Sequence, residues 1–261
     1  MIRPEQTFDT AASDYDAYRP GYVPELYQRI FSYMPIGRSS LAAEIGIGTG
    51  QATRPILETG CSVHAVEYGA ALSALCREKF RAYRNFSIVT GRFEDTPFAE
   101  NRYDLVYAAT AFHWIPAQTG YAKVFAMLKK GGAFARFANR PFLCAEHPQL
   151  AGAIAEIYAK YYYPFHNKMP QEPAEFSEQQ AAEIAEAAKA YGFTDIQYAL
   201  FHRTRTLSAD AYCALLGTYS DHLAMDAPLR QAFFSEIRAA ILSFGGFVTI
   251  RDTMDLELAR R

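Results

Sequence analysis

The sequence predicts an α/β chain: a doubly wound, mostly parallel sheet with helices on both faces, completed by an antiparallel hairpin and helical insertions near the C-terminal end. Three observations lead there. Between residues 41 and 137, short apolar runs of strand length alternate with segments of helix length, the pattern of parallel strands joined by crossover helices. Past residue 140 the spacing turns helical, and two longer strand-like stretches follow. The 261 residues are 50% hydrophobic, enough to build the core of one large elaborated domain, so residues 1–261 read as a single domain.

Residues 22–33 form the first clear helix, with Leu26, Ile30 and Phe31 on one side and Pro24 tolerated in its first turn. Pro35 and Gly37 end it. Runs at 41–47 and 62–66 are strands, and the helix at 51–59 between them completes a βαβ unit. Strands at 86–89, 103–109 and 133–137 are separated by helices at 70–80 and 117–130. Leu150, Ile154, Ile157 and Tyr161 keep a helical spacing, and so do Leu229, Phe233, Ile237 and Ile241. Two late strands are expected at 193–201 and 247–258, the second alternating through Val248, Ile250, Met254, Leu256 and Leu258. About 45 residues separate them, too many for a tight hairpin, so a helical insertion fills the interval. The polar, Pro-containing stretch at 168–180 reads as a loop.

Charged residues make up 21% of the chain and the formal net charge is -2, which leaves no global field to draw it to nucleic acid or an anionic membrane. The first residues contain no apolar core of a signal peptide, and no run approaches the roughly 18 apolar residues of a membrane helix. A cytoplasmic location is expected. Cys61, Cys76, Cys144 and Cys213 are scattered without a C-x-x-C pair and read as buried thiols, and no metal site is expected.

The most informative stretch is Ala42-Ala43-Glu44-Ile45-Gly46-Ile47-Gly48-Thr49-Gly50-Gln51, a strand running through a glycine loop into a helix. Glycines there let the backbone turn sharply and approach a ligand. A dinucleotide fingerprint needs its third glycine at position 51, where this chain has Gln51; the third glycine is Gly50, giving G-x-G-x-G. The second strand ends at Glu67, about 20 residues past the first glycine, where a carboxylate can accept hydrogen bonds from both hydroxyls of a ribose. A solvated strand-end acid is the plain alternative.

The segment Glu44-Ile45-Gly46-Ile47-Gly48-Thr49-Gly50 resembles the first motif of class I S-adenosylmethionine-dependent methyltransferases, a Rossmann-like family. The likeness continues through Glu67, through Gly91-Arg92-Phe93-Glu94-Asp95-Thr96-Pro97-Phe98, through residues 103–115 and through Leu128-Lys129-Lys130-Gly131-Gly132, where the two glycines are expected to end a helix. Arg92 departs from the aspartate frequent in the third segment. An N-terminal lead-in of Phe8, Asp9, Tyr15, Tyr18, Arg19, Pro20, Gly21 and Tyr22 is similar to that of small-molecule methyltransferases, including trans-aconitate methyltransferase-like proteins. The resemblance implies S-adenosylmethionine as cofactor, with residues 1–140 as the cofactor-binding half and 141–261 as substrate-side helices and final strands. It implies that Gly46, Gly48 and Gly50 accommodate the methionine part, Glu44 its ammonium end, Glu67 the ribose, the Phe93 backbone and Glu94 the adenine, and that Ala109, Tyr18 and Arg19 border the cofactor.

The partner is then a small-molecule acceptor, with no nucleic acid or membrane, acting on a monomer or homodimer. His113 stands just past the fourth strand, at the edge where parallel sheets hold ligands, and is the candidate for direct action on the acceptor; a structural histidine is the alternative. Tyr22 and Trp114 are candidate substrate contacts, and Phe112 and Trp114 line the pocket or belong to the core. The aromatic cluster Tyr158, Tyr161, Tyr162, Tyr163, Phe165 and His166 reads first as helix packing, and second as a place for substrate selectivity. A nicotinamide-dependent oxidoreductase, a nucleic-acid methyltransferase and a non-catalytic cofactor-binding protein remain the competing readings.

Overall fold

A computed structural model describes residues 12–143, 147–170 and 172–261; Phe8 and Asp9 of the lead-in, and Cys144, lie outside them. In chain order the elements are α1 (Ala12–Tyr18), α2 (Pro24–Tyr33), β1 (Leu41–Ile45), α3 (Thr53–Glu58), β2 (Ser62–Glu67), α4 (Ala70–Lys79), β3 (Phe86–Thr90), β4 (Tyr103–Ala109), α5 (Ala117–Met127) and β5 (Leu128–Leu143). They continue with α6 (Pro148–Ile157), a π-helical turn (Tyr158–Tyr162), α7 (Glu178–Glu186), β6 (Thr194–Ser208), α8 (Ala209–Leu216), α9 (Ser220–Leu223), α10 (Ala227–Ser243) and β7 (Phe247–Arg260). The seven strands make a mixed sheet in the order β3-β2-β1-β4-β5-β7-β6. β1 pairs in parallel with β2 and β4, β2 with β3, and β4 with β5.

The chain divides into two compact units. They do not follow the sequential halves expected from the sequence, because residues 176–201 and 254–261 rejoin residues 20–140. In this larger unit, β1 and β4 are buried on both faces, which is why they read as near-continuous apolar runs. Ala42, Leu105, Tyr107 and Phe137 fill one side of the sheet with Leu26 and Ile30 of α2. Ala43, Val106 and Phe134 fill the other with Tyr121 and Val124 of α5. At its far edge Arg261 N donates to the Gly132 carbonyl and Gly131 N to the Arg261 carbonyl, so the end of β7 meets the start of β5 and runs against it. The Thr194 hydroxyl donates to the Arg260 carbonyl, setting the start of β6 beside the same end of β7.

Several boundaries differ from the sequence reading, among them β5, which runs to Leu143, and β6, which runs to Ser208. α3 starts at Thr53 rather than 51, because Gly50 at φ +81 closes the preceding turn with a bond from its N–H to the Ile47 carbonyl. α5 ends at Met127, not 130: Leu128 is already extended and fully buried, and pairs with Tyr103. Gly131 and Gly132 therefore do not end the helix. They form an irregularity inside β5, where Gly131 takes φ +80 and a Cβ on Gly132 would meet the Tyr103 carbonyl oxygen at 3.0 Å.

Of the described residues, the smaller unit holds 12–19, 141–143, 147–170, 172–175 and 202–253. Its core joins Leu150, Ile154 and Ile157 of α6 to Phe233, Ile237 and Ile241 of α10 and to Leu215 and Leu216 of α8. The helical spacing expected through Tyr161 breaks at the π-helical turn, which adds a residue to the repeat, so Tyr162 is buried and Tyr161 only partly so. The helical insertion between β6 and β7 is present as α8, α9 and α10. Within this unit's part of β7, Asp252 is fully buried, and takes a two-pronged bond from Arg205 and a further one from Arg203. Cys61 and Cys76 are buried; Cys213 departs from that expectation, being half-buried with Sγ toward the Phe234 carbonyl. Among the described residues no helix is long and apolar enough to cross a membrane.

Candidate cofactor site

In the larger unit the glycine loop leaves β1 at its C-terminal end, the edge at which parallel sheets hold ligands. Gly46, Gly48 and Gly50 all take positive φ. At Gly46 a Cβ would lie 2.6 Å from the Ala111 Cβ, and at Gly50 2.7 Å from Phe80 Cζ, so neither position admits a side chain. The loop is held from several sides: Gly46 N donates to the Val66 carbonyl, Lys79 Nζ to the Thr49 carbonyl and Cys76 Sγ to the Gly48 carbonyl.

Two carboxylates flank it. Glu67, at the tip of β2, is 8% exposed, and accepts from Gly48 N through Oε2 and from Gly69 N through Oε1, each at 2.8 Å. Glu44 is fully buried; its Oε2 accepts from the Thr53 and Tyr107 hydroxyls, each at 2.7 Å, while Oε1 has no partner. Burial pushes the Glu44 carboxyl up to about 8, against the pull of those two bonds and with help from the Glu67 charge. A buried, unpartnered carboxyl oxygen suits a cationic amine, and a backbone-fixed carboxylate at the neighbouring strand tip suits a vicinal diol. The loop between them lacks side chains at positions 46, 48 and 50.

Past β3, Lys123 of α5 reaches across to donate to the carbonyls of Phe93, Glu94 and Thr96. It pins this turn, and the carbonyl of Phe93 is thereby committed. Phe93 itself is buried. The Glu94 carboxylate pairs with Arg92 at 2.8 Å; burial works against its charge, but Arg92 outweighs it and lowers its pKa.

At the exit of β4, Ala109 leads into Thr110, which adopts φ +53, a costly conformation for a β-branched residue. Its N–H donates to the Phe137 carbonyl at 2.8 Å, and its hydroxyl shares a 2.7 Å bond with the Tyr22 hydroxyl. The Tyr22 ring stands edge-on to Phe137 with centroids 4.8 Å apart. Removing that hydroxyl by Tyr22→Phe is expected to cost about 1 kcal/mol, read as a lower midpoint in urea denaturation at unchanged slope. Phe112 resolves as core, packed on Tyr121 and Phe134. His113 and Trp114 are exposed, with ring centroids 4.8 Å apart. Partial desolvation of the ring, followed by the Arg140 and Arg136 charges, lowers the His113 pKa to about 4.

Arg140 pairs with the buried Asp255 at 3.0 Å, and beside them Glu257 is buried with both oxygens unpartnered. Burial, then the Asp255 charge, pushes Glu257 up to about 9. Sequence reasoning missed this group, along with Thr53, Tyr107 and Lys123. Tyr18 and Arg19 belong to the smaller unit. There Tyr18 is exposed, and Arg19 donates to the Thr218 hydroxyl and carbonyl, each at 2.9 Å, with its guanidinium 4.2 Å above the Tyr219 ring.

Residues 43–135 match a family model described as a methyltransferase domain. An uncharacterised methyltransferase of Schizosaccharomyces pombe is 23% identical over 216 residues, covering 82% of this chain and 79% of that protein. Malonyl-[acyl-carrier protein] O-methyltransferase of a Marinomonas species is 25% identical over 129 residues; the match covers 48% of this chain and about half of that enzyme, 47%. A structure assigned as a type II methyltransferase from Anaeromyxobacter dehalogenans superposes with a TM-score of 0.63 at 19% identity, covering 93% of this chain and 98% of that one. Haemonchus contortus phosphoethanolamine N-methyltransferase 2, bound to phosphomonomethylethanolamine and S-adenosylhomocysteine, gives 0.58 at 14% identity, with 100% of this chain and 60% of that one covered. Those two likenesses are of fold. The matched segment and the relatives make this chain similar to methyltransferases, and the sheet is of the Rossmann-like kind.

Proposed function

We propose that the larger unit binds S-adenosylmethionine over the glycine loop and that the enzyme methylates a small molecule. The observation that carries this is Glu67, held at the tip of β2 by the Gly48 and Gly69 N–H groups, beside a buried Glu44 oxygen that lacks a partner among the described residues. In this reading Glu67 accepts from the ribose hydroxyls, Glu44 meets the ammonium, and Gly46, Gly48 and Gly50 leave room for the methionine chain. Glu94 and the Phe93–Thr96 turn border the adenine, Ala109 closes the cofactor side of the β4 exit, and Tyr22 and Trp114 face the acceptor. The bound cofactor supplies a methyl group on a sulfonium, a leaving group good enough that positioning is the protein's main task. Arg19, already engaged by Thr218, and Tyr18 stay outside the proposed set.

We take both units as parts of one cytoplasmic enzyme, monomeric or homodimeric, that does not act on nucleic acid, in keeping with the net charge of -2. The finer, trans-aconitate methyltransferase-like reading rests on the N-terminal lead-in and entails a carboxylate acceptor, which needs no base. Calorimetric titration with S-adenosylhomocysteine, NADH as control, tests the cofactor; tight NADH binding without the other sinks the reading.

His113 is the residue the sequence offers as a base, but a group at about pH 4 is poorly matched to proton abstraction near neutrality. His113→Gln is expected to lower kcat by less than about tenfold, measured with whichever acceptor gives turnover. A fall of a hundredfold or more would return His113 to the role of base.

A further inference from the structure

A small cavity of the larger unit is walled by Tyr121 of α5, Phe134 and Arg136 of β5, Ile184 and Ala185 of α7 and Glu257 of β7. Its enclosed space of about 10 Å³ admits one group the size of a water molecule. Arg136 and Ile184 are half-buried and form its outer side, while Glu257 is 5% exposed. Neither carboxyl oxygen of Glu257 has a hydrogen-bond partner among the described residues. Native proteins pair nearly all buried polar groups, so two open oxygens on one cavity wall call for a ligand.

The charges around the cavity decide its sign. Arg140 is paired with the buried Asp255 at 3.0 Å, whereas Arg136 forms no ion pair among the described residues and donates through Nη1 to the Tyr121 hydroxyl at 3.3 Å. Burial, then the Asp255 charge, raises Glu257 to about 9 and keeps it protonated at neutral pH. Two guanidiniums then face one carboxylate, and a positive charge is left over. The donors at the cavity are the Arg136 guanidinium, the Glu257 carboxyl O–H and the Tyr121 hydroxyl, which accepts from Arg136 and keeps its own proton to give. The Tyr121 ring stacks on Tyr191 at 4.7 Å, which fixes that donor. Such a set attracts an anion and repels an amine, and the small space with a single uncompensated charge favours a carboxylate over a phosphate. In the β4–β5 register Arg136 stands opposite Ala108, one residue before the end of β4, so the cavity adjoins the strand end from which the His113 loop departs.

We propose that this cavity binds the carboxylate of a small organic acid, one oxygen entering against Glu257 and Tyr121 and the other resting on Arg136. Glu257 gives the ligand a hydrogen bond, Arg136 supplies the countercharge, and Ile184 with Ala185 limits the entering group to the size of an oxygen. The assignment goes beyond the cofactor reading and does not depend on it.

The test titrates sodium acetate into the full chain by calorimetry at constant ionic strength, with methylammonium chloride as the cationic control. Saturable acetate binding with a Kd of about 1–10 mM is expected at pH 7, and none of methylammonium. Arg136→Gln is expected to weaken acetate about tenfold or more. Between pH 7 and 10 the unaltered protein is expected to lose about tenfold in affinity, since only about a tenth of Glu257 keeps its proton one unit above its pKa. The groups facing Glu257 are Asp255 on its own strand, Arg136 and Arg140 of β5 and Tyr121 of α5, with His113 beyond the arginines. Glu257→Gln, whose amide N–H replaces the carboxyl O–H at every pH, is expected to bind within a few fold of the original at pH 7 and to keep that affinity at pH 10. Arg29→Gln, at an exposed arginine of the same unit bonded to Gln197, is expected to leave acetate binding unchanged. Melting curves establish that each variant is folded, and the pH profile of the unaltered protein tests the site even where a variant is not. No saturable acetate binding, pH-independent binding by the unaltered protein, or equal losses in Arg136→Gln and Arg29→Gln overturn the proposal. S-adenosylhomocysteine affinity is read separately on the same samples, so failure of the cofactor reading and failure of this site are told apart.

Discussion

Glu67→Ala is expected to weaken S-adenosylhomocysteine binding about a thousandfold while the chain stays folded. A carboxylate accepting from two ribose hydroxyls makes two charge-assisted bonds worth about 1.5–3 kcal/mol each, and a loss near 4 kcal/mol corresponds to about three decades of affinity. The same side chain accepts from Gly48 N and Gly69 N, so alanine also frees the glycine loop and the start of α4 from their common anchor. Glu67→Gln separates the two contributions. It keeps an acceptor oxygen for one of these N–H groups but turns the other contact into a clash of donors, and about a tenfold to hundredfold loss is expected. Calorimetry at fixed salt checks both, and melting curves establish that the variants are folded. Affinity within a few fold of the original in Glu67→Ala removes Glu67 from the site, and the ribose assignment with it.

That Glu67 could be named from sequence follows from the physics of parallel sheets. β1 and β4 are covered on both faces and β2 is buried over its second half, so their residues form near-continuous apolar runs, and a charged residue at the end of such a run marks where the strand reaches the ligand edge. Asp255 and Glu257 defeat the same logic. They alternate with Met254, Leu256 and Leu258, a pattern that reads as solvent-facing, yet β7 lies between β5 and β6 and both are buried. Which strand is central is decided by pairing across more than a hundred residues of chain, and local alternation carries no trace of it. The end of α5 escapes local sequence for a related reason: Leu128 leaves the helix because Tyr103, 25 residues earlier, offers it a ladder position. The π-helical turn at Tyr158–Tyr162 has no composition signature either, since only its contacts with α9 reveal which tyrosine points inward. Lys123 looks like any helix-surface lysine until the Phe93–Thr96 turn is seen to lie within its reach.

Glu44→Gln is expected to change how stability depends on pH and to cost cofactor affinity. Burial, opposed by the Thr53 and Tyr107 bonds and reinforced by the Glu67 charge, raises the folded-state pKa from 4.5 to about 8. Between those values the folded ligand-free chain holds a proton that the unfolded chain has lost, so stability falls as pH rises through the window and the loss is complete above about pH 8. The full span is on the order of 4–5 kcal/mol. Glutamine does not ionise; its amide adds an unpaired donor where Oε1 now lacks a partner, a penalty of about 1–3 kcal/mol at every pH. The diagnostic is therefore the slope: urea titrations from about pH 5 to 9 should show the original protein losing stability relative to the variant as pH rises. Binding reads the same group from the other side. An ammonium on Oε1 requires the carboxylate, so binding near pH 7 should release close to one proton, measurable by calorimetry in two buffers of different ionisation enthalpy. Parallel stability curves together with no proton release would make Glu44 a structural acid that caps Thr53 and Tyr107, and would leave the ammonium to another partner.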